Sequence, residues 1–411
     1  MYKITIHKGK EKQAQKHHPW VFSGAIDTVE PKFKNSDWAE VYTSDNSFIA
    51  YGWYDERSHI ILHLLSWNKK ERMDNNFVKA LVKRSVLRRR ELLSMPDTTA
   101  FRLIHGEADF IPGFTLDCYG TELRGIVSSR FAEHFLQDII DELENLLSPS
   151  AIQITVDPQY AKAEDLKQNV RFFMKGKESN DTERKNIQFM EKGIYYEVEP
   201  GKGQKSGFYC DQRDNRQIVE DYAKDKKVLD VCSYTGGFTL HALKAGATSV
   251  DAIDGSESAL RHLLYQIHIN QDKGVLKQGS REKVSIREAD AFDYIRLIEE
   301  NYYDLMILDP PKLAKTKGQL ENAQKAYKDL NRVAMTKIKN GGIIFTFSCS
   351  GAMTRENFKL TLAWAAADAG VEIQILRTLS AGEDHPIRLS FPESEYLKGY
   401  VIKVIKPNSY R

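Results

Sequence analysis

The sequence predicts an α/β fold. Its C-terminal half should form a mostly parallel, seven-stranded sheet, preceded by a small β-barrel and an α+β central domain. Three observations carry this. From about residue 190, short apolar runs alternate with helical stretches, as in a parallel sheet with crossover helices. Before residue 67, only short β-branched and aromatic runs occur, split by turn-rich pieces. Between these regions lie a basic helical stretch and a mixture of strands with one amphipathic helix. A chain of 411 residues has room for two or three domains of roughly 150 residues each. The expected boundaries are 1–72, 73–190 and 191–411.

In chain order, Tyr2–Ile6, Trp38–Tyr42, Phe48–Trp53 and Ile60–Leu65 predict the barrel strands, with His17–Gly24 as a loop entering a strand. Phe77, Leu81, Val82, Val86, Leu87 and Leu92 recur at helical spacing. The central region reads as strands at 101–104, 123–127 and 152–156 and a helix at about 132–147, and 175–186 looks like a linker. The last region gives strands at 228–232, 249–253, 284–286, 304–308, 343–347, 372–376 and 400–405. Helices at 238–245, 256–270, 291–299, 320–338 and 355–369 fill most of the gaps.

Composition limits the function classes. Apolar residues make up 41% and charged residues 28%, and 19 Tyr, 19 Phe and 5 Trp can fill a core, which excludes a disordered chain. Unbroken apolar runs are only a few residues long, whereas a membrane span needs about 20. The opening Met1–Lys10 lacks the apolar stretch of a signal peptide. Cys118, Cys210, Cys232 and Cys349 have neither zinc-site nor CxxC spacing, so no metal and a cytoplasmic, reduced protein are expected. The net charge of +2 hides a segregation: residues 69–90 carry nine basic side chains against Glu71 and Asp74, and 133–145 carry five acids and no Lys or Arg. Such separation is either the solvated surface of a helix or a cationic groove for a polyanion, since nucleic-acid affinity comes largely from Lys and Arg on phosphates.

The sharpest local signal is Val228-Leu-Asp-Val-Cys-Ser-Tyr-Thr-Gly-Gly-Phe-Thr-Leu240, a buried strand running into a Gly-Gly turn that opens a helix. Gly236 and Gly237 let the backbone approach a ligand closely. The next strand ends at Asp254-Gly255, where an acid can accept hydrogen bonds from ribose hydroxyls. The third is followed by Ala289-Asp290-Ala291-Phe292, suited to an adenine ring and its amino group. A dinucleotide site would show GxGxxG and a helix N-terminus aimed at a pyrophosphate. Here Asp230 would repel a pyrophosphate and attract an ammonium. A ligand with an amino-acid end and a nucleoside end fits better, and S-adenosylmethionine is that ligand. Cys232 should contribute to its wall through the backbone.

The fourth strand ends Asp309-Pro310-Pro311-Lys312, a rigid extended segment. The fifth ends Ser348-Cys349-Ser350-Gly351. Parallel strands could bring Asp309 and Cys349 to neighbouring tips. A pyrimidine C5 is a poor nucleophile until a thiolate adds at C6 and turns the ring into an enamine. A carboxyl group near N3 can supply or stabilise the proton that this requires. Asp309 and Cys349 are the minimum set for that route.

These residues resemble the RlmI-like family of bacterial 23S ribosomal RNA cytosine-5 methyltransferases along nearly the whole chain. His18–Gly24 resembles the family's opening RNA-binding PUA domain, and Arg102–Gly120 resembles the start of its central domain. Gly203–Arg216 resembles its entry into the catalytic domain. The Asp230 loop, Asp309-Pro-Pro-Lys, Ser348-Cys-Ser, His385-Pro and Phe391-Pro-Glu-Ser-Glu-Tyr-Leu-Lys398 follow in order. The resemblance implies a Rossmann-like class I methyltransferase domain. It implies that Asp230, Ser233, Tyr234, Gly236, Gly237, Phe238, Asp254, Asp290 and Asp309 line the cofactor site and that Cys349 is the nucleophile. It further implies that Lys205, Phe208 and Arg213 border the cofactor or target base. Other RNA cytosine-5 methyltransferases carry a second Cys where Pro311 and Lys312 stand here, so the group that aids product release is unidentified. The competing readings are a purine nitrogen methyltransferase that needs no thiol and an RNA-binding assembly factor without turnover. A homodimer is left open.

Overall fold

The computed structural model describes residues 1–32, 36–179, 186–199, 207–314 and 317–407. The chain divides into two compact units: residues 1–189, 198–210 and 383–394 form the first, and 190–197, 211–382 and 395–411 the second. Among the described residues, no helix is long and apolar enough to cross a membrane.

The first unit contains two six-stranded sheets. One runs in the order Trp20–Val21, Leu62–Ser66, Phe48–Tyr54, Asp37–Tyr42, Tyr2–Ile6, Ile26–Glu30. Tyr2, Ile4, Ile6, Val41, Leu62 and Leu64 fill its own core. Trp38, Tyr51, Trp53 and Leu65 instead join the core of the second sheet, which also takes the helix Asn75–Arg88. The second sheet runs Lys177–Ser179, Val170–Met174, Ala151–Val156, Glu122–Val127, Phe114–Tyr119, Ala100–His105. Sequence patterning misses the edge strand Ile26–Glu30 because none of its side chains is fully buried. The expected helix at 132–147 is two helices, Arg130–His134 and Leu136–Leu147, with Phe135 between them.

The basic segment needs a correction. Asp74 caps the helix Asn75–Arg88 by accepting from the Phe77 amide at 3.1 Å. Val78, Leu81, Val82, Ser85 and Val86 face inward, and the same phase continues to Arg89, which is 1% exposed. Arg89 is therefore a core residue and no part of the cationic face. Its guanidinium spans both oxygens of Asp109 (2.8 and 2.7 Å) and donates to the carbonyls of Arg102 (3.2 Å) and Asp384 (2.7 Å). The Asp384 carboxylate accepts from the Arg102 amide at 2.7 Å, so this network also anchors segment 383–394. Lys69, Lys70, Arg72, Lys83, Arg84, Arg88 and Arg90 are exposed.

The second unit carries β1 (Lys227–Val231), β2 (Ser249–Asp254), β3 (Val284–Glu288), β4 (Leu305–Leu308), β5 (Ile343–Ser348), β6 (Glu372–Ser380) and β7 (Lys398–Ile405). The order is β3-β2-β1-β4-β5-β7-β6, and only β7 runs antiparallel to its neighbours. Helices α1 (Arg213–Ala223), α2 (Gly237–Ala245), α3 (Glu257–Asp272), α4 (Ala291–Leu297), α5 (Leu320–Lys337) and α6 (Arg355–Ala369) complete the unit. All seven expected strands and the five expected helices are present; the inner strands β1, β4 and β5 are the most legible, because buried parallel strands read as continuous apolar runs. The strand order reverses between β1 and β4, which opens a crevice at their C-terminal ends.

Removing one partner of a buried ion pair leaves an uncompensated charge. Arg89→Leu should therefore cost about 3–5 kcal/mol, while Arg90→Leu on the exposed side should stay within about 0.5 kcal/mol of wild type. Urea unfolding midpoints of the two variants check this.

Candidate active site

The β1 strand delivers Asp230 to the crevice with no exposed surface. Its Oδ2 accepts from the Thr239 hydroxyl at 2.7 Å, while Oδ1 is buried without a partner. Burial pushes the carboxyl up to about 7, helped by the charge of Asp254 and opposed by Thr239. The following turn is unusual. Cys232 (φ 62°), Tyr234 (φ 49°) and Gly236 (φ 82°) are all left-handed. A hydrogen bond from the Ser233 amide to the Ile253 carbonyl at 2.9 Å pins the turn to β2. The Ser233 hydroxyl is buried without a partner. A Cβ on Gly236 would lie 2.4 Å from Leu263 Cγ, and one on Gly237 would lie 2.6 Å from Arg216 Cδ. Arg216 cannot move aside easily, because its guanidinium is clamped on buried Glu191 at 2.7 and 2.6 Å. Phe238 is buried, with its ring 5.5 Å from that of Phe347.

At the tip of β2, both oxygens of Asp254 take backbone donors, the Tyr234 amide at 2.8 Å and the Ser256 amide at 2.9 Å. Asp254 thus shapes the β1 turn. Beside it, Gly255 is exposed and its Cβ position opens on empty space. Asp290 is exposed and caps α4 through Oδ1, accepting from Phe292 (2.8 Å) and Asp293 (3.1 Å), with Ala291 as the first helical residue.

The tips of β4 and β5 come together. The Cys349 thiol is partly exposed and donates to the Pro310 carbonyl with a separation of 3.8 Å. Asp309 Oδ2 accepts from Gln212 Nε2 at 3.0 Å. Burial pushes the Asp309 carboxyl up to about 7, and the nearby charge of Asp211 adds to this. Asp211 in turn accepts from the Tyr396 hydroxyl at 2.6 Å. The Ser350 hydroxyl accepts from the Ala314 amide (3.1 Å) and meets the Tyr327 hydroxyl (3.2 Å), which fixes the turn that carries Cys349.

The second unit thus gathers Asp230, Cys232, Ser233, Tyr234, Gly236, Gly237, Phe238, Asp254, Gly255, Asp290, Ala291, Asp309 and Cys349 at the C-terminal ends of its strands. Arg213 is buried there, with Nε 3.2 Å from Asp214. Phe208 is buried in the first unit against Phe189, and Lys205 lies outside the described residues. Sequence reasoning did not single out Gln212, Thr239, Arg216 or Lys398. Gln212 sits one residue before Arg213, so a polar residue next to a suspected site residue was the available signal. Cys118 and Cys210 are buried, and burial with the charges of Asp309 and Asp254 pushes the Cys232 thiol up. Among the described residues, no group of three or more His, Cys, Asp or Glu side chains could hold a metal ion.

Comparison with known proteins adds the family context. Residues 4–67 match the family model of a PUA-like domain, and residues 135–367 match that of an S-adenosylmethionine-dependent methyltransferase. The chain is 34% identical over 405 residues to ribosomal RNA large subunit methyltransferase I of Pseudoalteromonas atlantica, covering 98% of this chain and 99% of the relative. It is 35% identical over 406 residues to the protein of the same name from Tolumonas auensis, with the same coverage. Among solved structures, one described as a methyltransferase complexed with SAH superposes with a TM-score of 0.81 at 21% identity, covering 98% of this chain and 100% of that one. One described as a SAM-dependent methyltransferase from Streptococcus mutans gives 0.79 at 21% identity and the same coverage, which supports the fold.

The raised carboxyl values have a consequence for stability. A carboxyl whose folded value of about 7 exceeds its ordinary 3.8 holds its proton longer in the native state. Its contribution is therefore full below about 3.8 and is lost as pH rises through about 7. Asp230→Asn keeps an acceptor for Thr239 and removes this loss. In cofactor-free protein its melting temperature should exceed wild type by most at pH 8, and the difference should shrink steadily towards pH 4. A difference independent of pH would contradict the buried, uncompensated charge.

Proposed function

The chain belongs to the family of the ribosomal RNA large subunit methyltransferases I, which use S-adenosylmethionine, and on that premise we propose that it methylates carbon 5 of a cytosine in large-subunit ribosomal RNA through a covalent bond between Cys349 and carbon 6. The observation that carries this reading is the meeting of Cys349 with the Asp309–Pro310 segment, 3.8 Å from sulfur to the Pro310 oxygen. A nitrogen methyltransferase has no use for a thiol at that place.

The residues present fit the cofactor. Asp230 Oδ1 and Ser233 Oγ are buried polar atoms without partners, as a ligand bearing an ammonium and a carboxylate requires. When the cofactor binds, Asp254 would accept from the ribose hydroxyls, Asp290 and Ala291 would meet the adenine, and the left-handed turn at Cys232–Gly236 would offer its backbone to the amino-acid end. Phe238 and Gly237 back the turn. When bound, S-adenosylmethionine supplies an electrophilic methyl group on its sulfonium.

The protein's own part is to make carbon 5 nucleophilic. The Cys349 thiolate forms a bond to carbon 6, and the ring electrons move towards carbon 5. Burial pushes the Asp309 carboxyl up to about 7, so it can hold the proton that N3 needs as charge enters the ring. Gln212 fixes the direction of that carboxyl. Once carbon 5 carries the methyl group, its proton leaves to a base, the carbon–sulfur bond breaks and the thiolate returns. The cytosine must be single-stranded or flipped out to reach Sγ. The exposed Lys69, Lys70, Arg72, Lys83, Arg84, Arg88 and Arg90 give the first unit a cationic face for the RNA backbone. The enzyme works in the cytoplasm, where its RNA is found.

RNA carrying 5-fluorocytosine at the target should trap the enzyme, because fluorine cannot leave as a proton does. The adduct should survive denaturing electrophoresis. Cys349→Ala should abolish both adduct and turnover while calorimetry still shows bound cofactor. Cys349→Ser should be nearly inactive, since an alkoxide is far harder to form near pH 7 than a thiolate with an ordinary pKa of about 8.5. A Cys349→Ala variant that methylates near the wild-type rate would overturn the mechanism in favour of nitrogen methylation.

A further inference from the structure

Lys398 is the first residue of β7 and pairs with Ser348 across the β5–β7 ladder. It is 2% exposed. Its Nζ donates to the Ser350 carbonyl at 3.1 Å and to the Tyr396 carbonyl at 3.0 Å. Among the described residues, no carboxylate lies within ion-pair distance of it. A buried ammonium held only by carbonyls is costly, and a neutral amide could bridge the same two oxygens more cheaply. A charge kept under these conditions needs an anion.

The groups around it narrow the choice. Those that act on Lys398 are Glu395, Arg355, Cys349 and Lys312. Glu395 is already engaged, with Arg355 Nε 2.9 Å from its Oε1. Arg355 and Lys312 share the sign of Lys398. The Tyr327 phenol, hydrogen-bonded to Ser350, is pushed up to about 12 by burial and by the Cys349 charge, so it stays neutral. Besides Glu395, whose charge acts on Lys398 more strongly, the anion among these groups is the thiolate of Cys349, which lies between Ser348, the ladder partner of Lys398, and Ser350, whose carbonyl Lys398 holds. Burial lowers the Lys398 ammonium to about 8, so it is largely charged at neutral pH.

We propose that Lys398 is a positioning residue for Cys349. It fixes the Ser350 carbonyl, and with it the turn that carries the thiol, and its charge favours the thiolate over the thiol. The significance for catalysis rests on the reading of Cys349 as the nucleophile. The ion pairing itself does not.

The test is the pH profile of Cys349 alkylation by iodoacetamide in the full-length protein, followed by mass measurement of the Cys349 peptide. In the wild-type protein the midpoint should fall at least one unit below the ordinary thiol value of about 8.5. Lys398→Met, of similar length but neutral, should raise that midpoint by about one unit and slow alkylation at pH 7 about tenfold. Lys398→Arg should restore part of the shift, and both variants should bind S-adenosylmethionine like wild type. A wild-type midpoint at or above 8.5, or a Lys398→Met profile that superposes on wild type, would overturn the proposal. The wild-type midpoint decides the matter even if Lys398→Met fails to fold. A shifted midpoint without any 5-fluorocytosine adduct would leave the pairing standing and remove the nucleophile role instead.

Discussion

Asp230 and Asp309 follow one another across adjacent strands of a parallel sheet, and among the described residues neither has an ion-pair partner. Burying a charge without a partner is among the costliest things a fold can do; Asp230, with no exposed surface, bears that cost fully, and the half-buried Asp309 bears part of it. The protein carries this cost at the point where strand order reverses, where open α/β sheets bind ligands. Thr239 and Gln212 each satisfy one oxygen of the two carboxyls and leave the charge itself unanswered. A cationic ligand lowers that cost on binding. In the reading proposed above, the ammonium of S-adenosylmethionine is that partner for Asp230. In the proposed reaction Asp309 is neutral while it holds its own proton, and it passes that proton towards N3 as negative charge enters the ring.

Holding such a site together requires rigid surroundings. The turn after β1 uses three left-handed residues within five positions, two of them with side chains. Strain of this kind persists only where neighbours over-determine it. Here the neighbours are visible. Asp254 receives the Tyr234 amide, Ile253 receives the Ser233 amide, and Leu263 and Arg216 leave no room for a side chain at Gly236 or Gly237. The Glu191–Arg216 pair behind Gly237 is fully buried, so the wall of the turn is itself fixed by charge. One carboxylate, Asp254, receives two backbone amides of this region, so replacing it would disturb the turn as well as the ribose contact proposed for it.

Much of this was legible in the sequence because an acid at the end of a buried apolar run is anomalous. Val228-Leu-Asp-Val and Leu305-Met-Ile-Leu-Asp announce Asp230 and Asp309 in that way, and strand alternation with helices fixes which tips they occupy. The meeting of Cys349 with the Asp309–Pro310 segment followed from parallel-sheet geometry. Other features had no local signature. Gln212 reaches Asp309 from the segment before α1, a contact across 97 positions that composition cannot reveal. Lys398 reads as one more charged residue until the β5–β7 pairing sets it against Ser348. Arg89 is the instructive failure. Amid Arg88-Arg89-Arg90 it looked like a surface charge, yet its helical phase with Val78, Val82 and Ser85 points it inward to Asp109. In the first unit, Phe114–Tyr119 escaped notice as a strand because Asp117 interrupts its apolar pattern. That acid is buried on Arg102 at 2.5 Å.

In the proposed reaction these paired strand tips direct a methyl group to a pyrimidine carbon. This is tested most directly by incubating the protein with methyl-labelled S-adenosylmethionine and ribosomal RNA from cells lacking this gene, then digesting the RNA to nucleosides for mass analysis. The label should appear in 5-methylcytidine. Label in a nitrogen-methylated purine, or none in RNA at all, would contradict it.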